Sequence, residues 1–261
     1  MERRISVFNT MYFDAREVEN LRKVFNKENP KVPVRAGDPT LVWKNIQSRL
    51  HDKCDNSTEC VMLSLMSKPT APNSWRGNPE EWLSSTEIDA IEKQYTKVFS
   101  EYFYVGTVPI DFDKKSLVGT CVVSSLCSMD IKSIYKKGYR QIGIVFNTDK
   151  SSGPGEHWIA LFCDIRPELD YPRITYFDSY ADKPEKEVQA LMKRWAQSWN
   201  ETGVHSKPMQ ITYNKTRHQY QHSECGMYSL YFHLCCLTGT SMKSRIPDQV
   251  IRGFRGLLFK V

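Results

Sequence analysis

The 261-residue sequence has no run approaching the ~18 consecutive apolar residues that a bilayer-spanning helix needs. Its opening residues, MERRISVFNT, carry early basic side chains but no apolar core followed by a small-residue cleavage site. There is no low-complexity tract and no evident internal repeat. Glycine and proline stand at only 13 each, which excludes collagen-like and wholly disordered chains. Neither sign of charge dominates: the net charge is +6, too weak and too spread out to mark a nucleic-acid binder. Paired C-x-x-C motifs are also missing, so no full tetrahedral zinc set is visible. These absences point to a soluble, intracellular-type chain, whose eight cysteines are expected as reduced thiols rather than a disulfide framework.

What is present divides into two textures. Residues 1–78 read as an appendage of short helices joined by polar, proline-containing links. Val18, Leu21, Val24 and Phe25 recur at helical spacing, and Asp38-Pro39 looks like an N-cap followed by proline in the first turn. The stretch from Ser67 to Asn78, with two prolines and a glycine, is the expected boundary. Residues 79–261 mix both element types. Ser84 caps a helix bearing Ile88, Ile91 and Tyr95; strands are expected over 140–147, 157–165 and 173–180, with a short one at 209–212. Further helices are expected over 184–199, 225–237 and 247–258. Strands followed by helices imply an α+β domain, a central mixed sheet flanked by helices.

The stretch RHQYQHSECGMYS, from Arg217 to Ser229, carries the most chemistry. Cys225-Gly226 opens an apolar helix, and a thiol in the first turn of a helix sees the positive end of the peptide dipoles, which favours a thiolate. The glycine lets backbone N–H groups approach a reacting carbonyl. Cys225 could equally be a small buried hydrophobe, as Cys235 and Cys236 are expected to be. A nucleophilic thiol needs a base, and six histidines are on offer. His157 opens a strand-like run after a glycine-rich loop. His218 and His222 lie very near Cys225 in sequence, and His51, His205 and His233 sit in helical or linking contexts. Asp178, at the end of the YFDSY run, could orient an imidazole or simply cap a strand. His51, Cys54 and Cys60 form at most an incomplete zinc set, and no metal is expected.

The order His157-Trp158, Asp178, Gln219, Cys225-Gly226, with Gln219 six residues before the cysteine, resembles the adenovirus-protease and SUMO-specific protease superfamily. Chain order argues against papain-like enzymes, which place Cys before His. The likeness is closest to the large-DNA-virus branch, of the African swine fever virus polyprotein-processing type. It covers roughly residues 80–261, with Glu81-Trp82-Leu83-Ser84 resembling the start of the catalytic core. That branch carries Asn where Asp178 stands, so this chain returns to the commoner acid. The resemblance implies Cys225 as nucleophile, His157 as base, Asp178 as its orienting acid and Gln219 as oxyanion donor, with Gln221 as a fallback. It further implies Trp158 as the wall of a channel that Gly-Gly can thread, with core packing as its ordinary alternative. Asn147 is expected in substrate binding beside Trp158.

The expected activity is a thiol endopeptidase that needs no cofactor and cuts after Gly-Gly(-X), processing viral structural polyproteins during virion maturation. Its partner would be a polypeptide with a Gly-Gly motif, and its setting the host cytoplasm, at the virus factory, and the virion. An enzyme that strips ubiquitin-like tags would use the same site. An inactive module with weak DNA contact through Lys132, Lys136, Lys137 and Arg140, or through Arg252, Arg255 and Lys260, is the remaining alternative.

Overall fold

The computed structural model describes residues 13–55 and 57–260. These residues fall into two compact units. One comprises the described chain up to Met66 together with Val98–Ser100; the other comprises Ser67–Lys97 and the chain from Glu101 onward.

In the first unit, α1 (Ala15–Glu28) begins at a capping box in which Asp14 accepts from the Glu17 N–H at 2.7 Å. α2 (Pro39–Arg49) starts with Asp38 accepting from the Leu41 N–H, and the short α3 (His51–Cys54) and α4 (Thr58–Leu65) follow. Val18, Leu21, Phe25, Val42 and Ile46 are all buried, as the helical spacing requires.

The proline-rich segment expected as a linker packs within the second unit. Thr70 bridges to Lys260, Trp75 meets Phe259 edge-on at 4.9 Å, and the Arg255 guanidinium lies 4.3 Å from the Trp75 ring centre. The elements of this unit are α5 (Ser85–Val98, whose last residue groups with the first unit), β1 (Tyr102–Pro109), α6 (Ser124–Cys127), α7 (Ile131–Lys136), β2 (Gln141–Asn147), β3 (Trp158–Asp164), β4 (Arg173–Phe177), α8 (Lys186–Asn200), β5 (Gln210–Tyr213), α9 (Cys225–Thr238) and α10 (Asp248–Leu258). The strands form one mixed sheet in the order β1-β2-β3-β4-β5: both outer pairings are parallel, both inner ones antiparallel. β3 is buried at every position, so its run reads as continuously apolar rather than alternating. One face, bearing Ile144, Ile159 and Leu161, shares a core with Leu191, Met192 and Trp195 of α8. The other face meets α9, where Phe177 stacks on Phe232 at 4.7 Å. This is an α+β core with helices on both sides of its sheet.

β1 has no counterpart in the sequence reading. Gly106, at a φ of 130°, sits where the register with β2 breaks between Tyr104 and Thr107, and that irregularity obscures the two-residue period. The cysteine expectation is corrected too. Cys54 is bonded to Cys60 and Cys121 to Cys127, while Cys163, Cys225, Cys235 and Cys236 are not in disulfides. Each bridge closes over six residues of locally folded chain, with Cα atoms 5.3 and 6.3 Å apart, so the pairing is a matter of short-range geometry. The first bridge ties together the two sulfurs of the incomplete zinc set. Among the described residues, no helix is long and apolar enough to cross a membrane.

Candidate active site

The site forms where three chain segments end at one edge of the sheet. His157 immediately precedes β3, and its carbonyl accepts from the Thr148 N–H at 2.9 Å, which closes the β2–β3 end. Asp178 immediately follows β4. Asn214, just beyond β5, clamps it: the Asn214 Oδ1 accepts from the Asp178 N–H at 2.9 Å, and its Nδ2 donates to the Asp178 carbonyl at 2.7 Å. Cys225 is the first residue of α9. The three sequence-distant groups therefore share a corner because neighbouring strands and the helix packed on them terminate together.

His157 Nε2 lies 2.8 Å from Asp178 Oδ1, which leaves Nδ1 for the Cys225 sulfur, the ring's second hydrogen-bond partner. Burial disfavours the charged ring, but the hydrogen bonds to Asp178 and Cys225, and the charges of both, raise its pKa to about 10. An imidazolium beside sulfur is one half of a thiolate–imidazolium pair. The Tyr180 ring stacks on His157 with centroids 4.9 Å apart and planes 26° from parallel. Tyr180 is held there by a tight turn: its N–H donates to Asp178 Oδ1 at 2.8 Å, and the following Ala181 adopts a φ of 66°. That unfavourable φ accompanies the reversal that folds Tyr180 back over the imidazole. Arg217 in turn lies 5.2 Å from the Tyr180 ring centre.

The sulfur sits at the start of a helix whose first intrahelical bond runs from the Tyr228 N–H to the Glu224 carbonyl at 2.8 Å. The N–H of Cys225 precedes that ladder and can serve an anion. Glu224, a buried acid at the same helix end, pairs with Arg252 at 2.7 Å and accepts from the Ser223 hydroxyl at 2.8 Å. Gln219 is fully buried; its Oε1 accepts from Ser179 Oγ at 2.6 Å and its Nε2 donates to the Gln221 carbonyl at 2.8 Å. Gln221 itself is exposed and enters this network through its backbone.

A groove of about 610 Å³ lies beside this corner, lined by Trp82, Leu83, Asn147, Gly153, Gly155 and Trp158 among others. The Trp158 indole is fixed by donation to the Leu83 carbonyl at 2.8 Å. Gly226 answers a constraint not visible in the sequence: a Cβ there would meet Leu83 Cβ at 3.1 Å and Trp158 Cδ1 at 3.2 Å. Asn147 lines the groove, and its Oδ1 accepts from the N–H groups of Asp149 and Glu156, so it fastens the loop that forms one rim. Trp82, half exposed on the opposite rim, was not singled out as a site residue; its place beside Ser84 and the helix cap is the signal that could have found it.

The other histidines stand apart. His218 accepts from the Ile246 N–H at Nδ1, and burial together with Arg245 lowers its pKa. His233 is fully buried with Glu92. His205 bonds the Leu169 carbonyl, and His51 and His222 are exposed. Much of the basic surface is engaged internally. Lys132 pairs with Glu201 and Arg140 donates to the carbonyls of Tyr135 and Tyr139, while Arg252 and Arg255 bind Glu224 and the carbonyls of Pro79 and Glu81.

Residues 141–259, which contain this whole constellation, match the family described as Ulp1 protease family, C-terminal catalytic domain. This segment is a Ulp1-like domain. The chain is 29% identical, over 97% of its length and 90% of the relative's, to a protein of Acanthamoeba polyphaga mimivirus named as a thiol protease. It is 35% identical to a cysteine protease of African swine fever virus, over 64% of this chain and 62% of that one. The crystal structure of the swine fever virus protease shares the fold, with a TM-score of 0.63 at 21% identity, covering 98% of this chain and 94% of that one. The fold shared with that protease thus extends beyond the matched segment.

Proposed function

We propose that the chain is an endopeptidase that cuts after Gly-Gly(-X) and processes viral structural polyproteins during particle maturation. The observation that carries the reading is the His157 ring held between Asp178 and Cys225 beside a groove walled by Trp158. In this mechanism the Cys225 thiolate attacks the scissile carbonyl: an S–C bond forms and the C=O electron pair moves onto oxygen. The Gln219 side-chain amide and the Cys225 N–H receive that oxyanion. The tetrahedral intermediate collapses, the C–N bond breaks, and His157 Nδ1 passes its proton to the leaving amine. Water, deprotonated by the now neutral His157, then hydrolyses the thioester and regenerates the thiolate–imidazolium pair. Asp178 holds the ring through Nε2 throughout. Trp158 and Trp82 flank the entering strand, and position 226 has no room for a side chain against Trp158 and Leu83.

A panel of extended peptides tests this. Wild-type protein is expected to cleave Gly-Gly-Ala after the second glycine or after the alanine, and replacing either glycine by valine should cost ~10²-fold or more in kcat/KM. Cys225→Ala should abolish turnover. Cleavage by Cys225→Ala at the wild-type rate, or indifference to glycine, would sink the proposal. Including candidate capsid precursors and ubiquitin-like fusions in the panel separates polyprotein processing from tag removal, because the preferred substrate is the one with the higher kcat/KM. The setting proposed for the reaction is the virus factory and the particle. Fractionation of infected cells and purified particles would place it.

A further inference from the structure

We infer that Ser179 is a positioning residue for the oxyanion donor: its hydroxyl holds Oε1 of the Gln219 amide in place, while the Gln221 carbonyl sets which way the amide faces. The inference rests on the reading of Gln219 given above and extends it to a residue whose type carries no catalytic signal.

The side-chain amide of glutamine is nearly symmetric in shape, and a free one turns over readily. Only Nε2 can donate to an oxyanion; a flipped amide would present Oε1 and repel it. At Gln219 the orientation is specified by one neighbour and the position held by another. The Gln221 carbonyl can only accept, so the group 2.8 Å from it must be Nε2. Oε1 then faces Ser179 Oγ at 2.6 Å, and the hydroxyl rotates to donate. Both Ser179 and Gln219 are buried, so a flip would set oxygen against oxygen at the Gln221 carbonyl; the Ser179 hydroxyl, which can donate or accept, does not choose the orientation but holds the amide in its place. One Nε2 hydrogen is used by Gln221; the second remains for the substrate. The backbone repeats the tie: the Ser179 carbonyl accepts from the N–H groups of both His218 and Gln219 at 2.9 Å. Ser179 also sits between Asp178, which bonds the base, and Tyr180, which stacks on it. A single turn after β4 therefore sets the imidazole and the oxyanion amide against one another.

Removing the hydroxyl separates this role from ordinary packing. The measurements are kcat and KM on the cleaved Gly-Gly peptide, the rate of Cys225 alkylation by iodoacetamide, and inhibition by the matching peptide aldehyde, whose thiohemiacetal places negative charge in the oxyanion site. All rates are normalised to alkylatable Cys225, so a partly unfolded sample does not register as lost catalysis. Ser179→Ala is expected to lower kcat about tenfold at unchanged KM. It should weaken the aldehyde by a similar factor and leave iodoacetamide alkylation, which forms no oxyanion, at the wild-type rate. Gln219→Ala should cost ~10²-fold in kcat, and adding Ser179→Ala to it should cost nothing more. Full kcat in Ser179→Ala overturns the inference, as does slowing of alkylation by the same factor, or an undiminished effect in the Gln219→Ala background. Full kcat in Gln219→Ala overturns the underlying oxyanion reading and this inference with it; loss in Gln219→Ala alone overturns only the role of Ser179.

Discussion

The second unit holds two histidine–carboxylate pairs of nearly equal length. His157 meets Asp178 at 2.8 Å, and His233 meets Glu92 at 2.7 Å. Each has a tyrosine for company: Tyr180 stacks on His157, while Tyr102 stands edge-on to His233 and donates to Glu92 at 2.8 Å. What separates them is the remaining ring nitrogen. Nε2 of His233 is already occupied by the Leu161 carbonyl at 3.2 Å, and the residue is completely buried between α5, β1, β3 and α9. Nδ1 of His157 faces a sulfur, and 16% of its side chain remains exposed beside the groove. A paired imidazole becomes chemically useful through a free valence and an approach path. Pairing alone is a structural device, and the core pair is that device.

The sharpest way to break the comparison is to delete each ring. His157→Ala should lower kcat by ~10⁴-fold or more while the protein stays folded. His233→Ala should leave kcat per alkylatable Cys225 intact but lower stability by ~3–5 kcal/mol, because Glu92 is left as an uncompensated buried acid. Urea denaturation and active-site titration measure the two quantities. A catalytic collapse of His233→Ala at full stability would erase the distinction. Next in size is Gly226→Ala, expected to cost ~10²-fold in kcat/KM as Trp158 or Leu83 is displaced next to the nucleophile, and readable in the indole fluorescence.

The pH behaviour sharpens the comparison without destroying either pair. A folded-state pKa of about 10, against 6.5 for an unperturbed ring, means that His157 binds its proton more tightly in the folded protein. The resulting stabilisation is complete below pH 6.5 and disappears as pH rises through 10. The difference in denaturation midpoint between wild type and His157→Gln should shrink along that interval. In Cys225→Ser the His157 resonance should titrate below its wild-type midpoint, because the sulfur's charge is among the causes that raise it. An unmoved midpoint would show that Asp178 acts alone. The smallest effect expected is that of Tyr180→Leu, a ~2–5-fold fall in kcat from loss of the ring stacked on an imidazolium.

The long helices were legible because α8 and α9 announce themselves differently. Val188, Leu191, Met192, Trp195 and Trp199 recur at helical spacing, whereas α9 is apolar on every side because it is enclosed. His157, Asp178 and Cys225 each offered candidate chemistry by residue type and local pattern, and Gln219 was picked out only by the resemblance of their chain order to the SUMO-specific protease superfamily. β1 escaped because a bulge breaks its period, and the two disulfides escaped because a six-residue cysteine spacing has no unique structural meaning. Ser179 and Tyr180 escaped for a more general reason. Serine and tyrosine at a strand end are common, and what singles them out is a contact with a residue 40 positions away for Ser179 and a face-to-face stack for Tyr180. Sequence reports the chemistry a side chain can perform; the partners that orient it are written only in three dimensions.

The crowding among Gly226, Trp158 and Leu83 constrains how this lineage can drift. Any side chain gained at position 226 requires atoms to be given up on the indole or on the leucine, and a smaller residue at either place makes room for it. The three positions are therefore expected to mutate in concert.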